Sequence, residues 1–124
     1  MLLIALSHLV NVVVVTIIPY LIFRNSPAMT AVYGPDSPAR RILACLYVTI
    51  AAASGAALLA QFGFDRADVS IAIALVLFPM QILYKVATAF AVGTASPVVV
   101  SNLAIAALHG GALAFYLSAG ARLI

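Results

Sequence analysis

Two histidines, one lysine and a few amides are the side chains in this sequence most able to do chemistry, and all stand in apolar surroundings. Gln81, Tyr84, Lys85 and Thr88 follow one another at i, i+3, i+4 and i+7 in the stretch FPMQILYKVATAF. On a helix that spacing makes one polar stripe. Asn102 and His109, seven apart, share a face of a later segment, and His8 with Asn11 form an i, i+3 pair near the start. A lysine in such a stripe could attract an anion. Two histidines could be axial ligands of a haem or, singly, of a chlorophyll-type pigment, and either could serve as a general base.

Each reading has a plainer competitor. A charge at the centre of an inserted helix costs roughly 2.5–3.5 kcal/mol, so the Lys85 stripe should face protein or water. A lysine displaced from the midplane can also extend its ammonium to the headgroups, which explains the residue as an anchor. The spacing predicts a buried, hydrogen-bonded cluster of Gln81, Lys85 and Asn102. His8 and His109 fall roughly 7 Å apart in depth at 1.5 Å per residue, a poor match for two ligands of one haem. No carboxylate is placed to orient either histidine and no nucleophile motif accompanies them, so catalysis ranks last and the chain is expected not to be an enzyme.

The elements that position these residues are set by composition. Of 124 residues, 66% are hydrophobic and 7% charged, against about 25% charged in an ordinary soluble domain. So few charges cannot cover a globular surface in water, and the solvent must be lipid. Six basic residues, scattered, are too few for a nucleic-acid groove. Cys45 is the only cysteine and lies in an apolar run, where it reads as a small core residue and not as part of a metal or disulfide framework.

Four runs reach the ~20 apolar residues that a span requires: about 2–23, 38–62, 68–92 and 97–121. The expected fold is an all-α membrane protein, an antiparallel four-transmembrane-helix bundle forming one domain. Ser37-Pro38 and Ser96-Pro97 place a capping serine before a first-turn proline, and Asp65 and Asp68 are candidate caps for the third span. Gly63, Gly93 and Gly120 stand where helices should stop. Residues 27–33, with Met29, Val32 and Tyr33 on one face, suggest a short interfacial helix ended by Gly34-Pro35. The apolar start lacks a basic n-region or a small-residue cleavage site before Arg24 and is expected to be a retained helix.

Small residues recur at spacings suited to helix contacts in lipid. Gly55 pairs with Ala51, Gly110 with Ala106 and Gly111 with Ala107, each four apart. Pro79, near the middle of the third span, removes a helix hydrogen bond and predicts a kink. Arg24, Arg40 and Arg41 outnumber Arg66 and Arg122 across the bundle by one charge, which predicts both termini outside the cytoplasm. No acidic residue lies within a span, whereas proton-coupled exporters generally need one there.

These features point to a non-catalytic accessory or structural subunit of a larger membrane complex, or a homo-oligomer, in a bacterial inner or other energy-transducing membrane. The competing expectation is a small oligomeric transporter or channel for an anion or small solute that uses the Lys85 stripe. Neither a cofactor nor a metal is required by the residues.

Overall fold

The computed structural model describes residues 1–121. Four long helices make the protein an all-α membrane bundle, and each is long and apolar enough to cross a bilayer. They are α1 (Leu2–Phe23), α3 (Pro38–Leu58) with a π-helical turn over Leu59–Gly63, α4 (Ala67–Val92) and α5 (Pro97–Ala121); α2 (Pro27–Tyr33) is short. Among the described residues there is no strand. Arg122, counted in the charge asymmetry, lies outside the described residues.

Local chemistry sets the boundaries. After α1 the chain turns through Asn25 at φ 50, a left-handed position that asparagine tolerates better than most residues. The segment 27–33 is a helix, and Gly34 at φ 80 ends it. Ser37 caps α3 as its position predicts: its Oγ accepts from the Arg40 N–H at 3.2 Å, and Pro38 occupies the first turn, where no N–H is needed. Gly93 at φ 90 ends α4, its N–H bonded to the Ala89 carbonyl.

One expected boundary differs. Neither Asp65 nor Asp68 caps α4: the capping position is Arg66, without a side-chain cap, and the Asp68 carboxylate is instead held by the Arg66 guanidinium at 2.8 and 2.9 Å. A charged partner two residues away competes successfully with a backbone N–H. α5 is described to Ala121, one residue past Gly120 and in agreement with the expected span.

In the bundle, α1 packs mainly on α3 and α4 on α5, while α1–α5 and α3–α4 contacts join the two pairs. One apolar cluster of the core joins Ile4, Ala74, Phe78 and Ala112, and other buried apolar residues, among them Val15, Ile22 and Val99, lie elsewhere along the bundle. Alongside them stand buried polar side chains from every span, among them Ser7, His8, Asn11, Ser54, Ser70, Gln81, Lys85, Asn102 and His109. Such an interior follows from the solvent. In lipid, apolar side chains gain nothing by turning inward, whereas polar ones gain partners.

The glycines expected at helix contacts have room beside them in the structure. A Cβ on Gly55 or Gly111 would meet nothing within 4 Å, and one on Gly110 would only touch Ile82 at 3.9 Å. Cys45, expected in the core, is exposed on the outer face of α3. The inward face of α3 carries Arg40, Ala44, Tyr47, Ser54 and Ala57, which leaves Cys45 on the opposite side.

Candidate functional site

The centre of the bundle is a hydrogen-bond chain that crosses all four spans, and chemistry fixes the direction of each link. His8 Nε2 lies 3.4 Å from the Ser70 carbonyl, which can only accept, so Nε2 carries the proton. Nδ1 of the neutral ring is then an acceptor, and the Ser54 hydroxyl donates to it at 3.3 Å. Ser54 Oγ in turn accepts from Asn11 Nδ2 at 3.1 Å. That assigns Asn11 Oδ1 as the acceptor facing His109, whose Nε2–H donates at 3.1 Å.

The sequence from donor to acceptor is therefore His109, Asn11, Ser54, His8 and the Ser70 backbone, running from α5 through α1, α3 and α1 to α4. Ser70 extends it sideways, its hydroxyl donating to Gln61 Oε1 at 3.1 Å. The π-turn carries Gln61 and sets it beside α4, in keeping with the tendency of such turns to re-aim side chains.

Phe78 is the apolar partner of both imidazoles. Its ring stacks on His109, 8° from parallel with centroids 4.3 Å apart, and meets His8 at 4.7 Å and 49°. The two histidines thus share one contact ring. His109 engages Asn11 through Nε2 and leaves Nδ1 without a partner, while His8 has both nitrogens engaged in the chain. No group of three or more histidine, cysteine or acidic side chains able to hold a metal ion occurs among the described residues.

A second polar group lies toward the end of the bundle that holds α2. Lys85, 2% exposed, donates from Nζ to Asn102 Oδ1 at 2.9 Å. Asn102 Nδ2 donates to Thr88 Oγ1 at 3.4 Å, and Thr88 donates to the Lys85 carbonyl at 2.6 Å. Lys85 and Asn102 therefore meet as the stripe spacing predicts. Gln81 is buried on the same face of α4, yet neither of its amide atoms has a partner; it adjoins the cluster without bonding to it. The lysine is turned into the protein rather than extended to the headgroups.

The same end is closed by Arg40, 3% exposed. Its guanidinium donates to the Gly34 carbonyl at 2.6 Å, to Thr30 Oγ1 at 3.2 Å and to Asn25 Oδ1 at 3.4 Å. The turn at Asn25 and α2 with its Gly34 cap are thereby tied to the start of α3. Beside it Arg41 forms a forked pair with Asp36 at 2.6 and 3.0 Å, and that guanidinium holds the Asp36 carboxyl below the usual carboxylate range. Pro79 faces outward in a helix that continues on both sides of it.

Sequence spacing found His8, Asn11, Lys85, Asn102 and His109 but missed Ser54, Ser70, Gln61, Phe78 and Arg40. Ser54 was hidden in a run of alanines that reads as packing surface. Arg40 had a visible signal, since an arginine three residues after the serine of a Ser-Pro start sits where the preceding loop must return. In comparisons with known proteins, no family model, no curated protein and no solved structure matches the chain.

Proposed function

We propose that this protein is a non-catalytic subunit that packs its outer helix faces against other membrane helices in a larger complex or a homo-oligomer. The observation that carries this reading is the division of residues between inside and outside. Polar groups from all four spans turn inward and largely bond to one another, while Gly55 and Gly111 face outward with open space beside them. On α5 the exposed positions Ala104, Ala107, Gly111, Ala114 and Ser118 alternate spacings of three and four. On α3 the exposed Cys45, Thr49, Ala52 and Ala56 do the same. Small residues let backbones approach closely, the main source of helix association where lipid removes the hydrophobic drive. The hydroxyls of Thr49 and Ser118 are satisfied by their own helices, so both stripes can meet an apolar partner without cost.

The internal network has the properties of a stitch and not of a transport path. Lys85 is bonded to Asn102 and buried, and the lateral clefts between α3 and α4 are not lined by it. The excess of arginine at the α2 end supports an orientation with that end in the cytoplasm and both termini outside, in a bacterial inner or other energy-transducing membrane.

Purification from native membranes in a mild detergent, with mass spectrometry of co-purifying proteins, tests the reading. The expected result is a stoichiometric membrane partner or a defined homo-oligomer. Gly55→Leu or Gly111→Leu should remove it while leaving helix content and stability unchanged, since a Cβ at either position meets nothing within 4 Å. A monomer free of partners, or assembly indifferent to both substitutions, would overturn the proposal.

A further inference from the structure

α1 and α3 pack against each other yet leave a lateral cleft of about 250 Å³ between them. Val15 and Pro19 are buried and form its floor, while Thr16, Tyr20, Phe23 and Val48 are exposed around it. Val15, Pro19 and Phe23 follow one another at intervals of four, so the cleft runs lengthwise along α1, roughly 12 Å at 1.5 Å per residue. It ends at Phe23, where the span itself ends.

Arg24 is the next residue, the C-cap of α1. It does not line the cleft, but its guanidinium carbon lies over the rim residue Tyr20, 5.8 Å from the ring centroid, and Nη1 is 3.5 Å from the Tyr20 hydroxyl. That is within the range of a cation–π contact, and it engages one face of a group with five N–H donors. The other cations at this end are occupied: Arg40 by three acceptors, Arg41 by Asp36 and Lys85 by Asn102. Arg24 is exposed, and among the described residues the two ion pairs, Arg41 with Asp36 and Arg66 with Asp68, leave it without a carboxylate. One tyrosine thus serves as rim of the cleft and as platform for an accessible cation.

Size and charge select the occupant. A helix with its side chains is about 10–12 Å across, too wide to seat in a cleft of this volume, whereas an extended hydrocarbon chain is not. A cation at the end of a span stands at the level of the lipid phosphates, and a guanidinium matches two phosphate oxygens as a fork. Arg24, Arg40 and Arg41 face Asp36 alone at this end, so an anionic head complements the field while a zwitterionic one brings an ammonium into it. We infer that one anionic phospholipid binds here, its phosphate on Arg24 and one acyl chain along Val15, Pro19 and Phe23. Anionic lipids of the cytoplasmic leaflet are drawn to basic residues at span ends in this way. The inference concerns lipid and is independent of the subunit reading above.

The test uses the full chain in a mild detergent, titrated in parallel with phosphatidylglycerol and phosphatidylcholine of the same acyl chains and followed by native mass spectrometry. One phosphatidylglycerol should be retained in preference to phosphatidylcholine, and Arg24→Gln should weaken its binding about fivefold, as loss of one interfacial arginine contact implies. Val48→Trp adds bulk at the cleft from an exposed position and leaves Arg24 in place, so it should weaken both lipids. Arg66→Gln, at the other end of the bundle, should change neither, and glycerol 1-phosphate, a head without chains, should not compete. Equal retention of the two lipids, a preference unchanged in Arg24→Gln, or an equal loss in Arg66→Gln overturns the site. Competition by glycerol 1-phosphate, or binding unchanged in Val48→Trp shown to be folded by circular dichroism, overturns the part assigned to the cleft.

Discussion

The imidazole of His109 and the ring of Phe78 lie face to face, 8° from parallel at 4.3 Å. Stacking joins α5 to α4 at the level where hydrogen bonds join α5 to α1, so one histidine is held from two sides by unlike forces. Phe78→Ala should lower stability by about 3 kcal/mol or more, the usual range for emptying a fully buried aromatic site. Chemical denaturation in detergent micelles, followed by far-ultraviolet circular dichroism, measures it. Stability within error of the parent would mean that Phe78 does not organise the centre.

Ser54 is the relay between Asn11 and His8, one hydroxyl serving as acceptor and donor. Ser54→Ala leaves both partners unpaired and is expected to cost about 1–2 kcal/mol, toward the upper end for hydrogen bonds in membrane interiors. Asn11→Leu should cost at least as much, since it strands His109 as well. If Ser54→Ala proves neutral under the same denaturation assay, the directional chain is wrong.

Lys85 and Asn102 should be energetically coupled rather than independently useful. A double-mutant cycle with Lys85→Met and Asn102→Leu is expected to give about 0.5–1.5 kcal/mol of interaction. Lys85→Met alone leaves an orphaned amide oxygen and should destabilise more than the double substitution does. Strict additivity would return Lys85 to the role of an interfacial anchor.

Arg40 ties 24–37 to α3 through three acceptors, one in the turn at Asn25 and two on α2 and its Gly34 cap. Arg40→Gln should release that connection, with cleavage within it several-fold faster in limited proteolysis while the spans remain protected. Arg40→Lys should fall between, because a point charge cannot reproduce the planar fork. Equal cleavage rates in all three proteins would show that α2 holds its place by other means.

The Asp36 carboxyl, paired with Arg41, is held below the usual carboxylate range. A depressed carboxylate stabilises the folded state above its unfolded pKa, and that contribution is lost as pH falls through the folded value. A ¹³C titration of Asp36 should show a lowered midpoint that moves up in Arg41→Gln. Because the pair is exposed, high salt should also raise the midpoint.

The spans were legible because a bilayer demands long apolar runs, and Ser37-Pro38 announced its helix start through chemistry confined to one turn. The interior was legible only where a residue was too polar to belong in lipid. Lys85, Asn102, His8 and His109 declare themselves, but Ser54 does not, because a serine can satisfy itself on its own helix. Rotation about the helix axis was the hidden variable. Every face of α3 is apolar enough for lipid, so hydropathy could not say that Ser54 points inward and Gly55 and Cys45 outward. The Asp68 cap was misjudged because the arginine beside it offered a better partner than the backbone.

The link between His109 and Asn11 joins residues 98 positions apart. During synthesis α1 enters the membrane with Asn11 and His8 exposed to whatever is nearby, and Ser54 arrives first to cover them. At about 5–20 residues per second, α5 follows α1 by some seconds to tens of seconds. The bundle therefore closes in order, and the last helix inserted locks the first. A nascent chain stalled before α5 would present an unfinished polar seam to the bilayer, a mark by which membrane quality control could tell it from the finished protein.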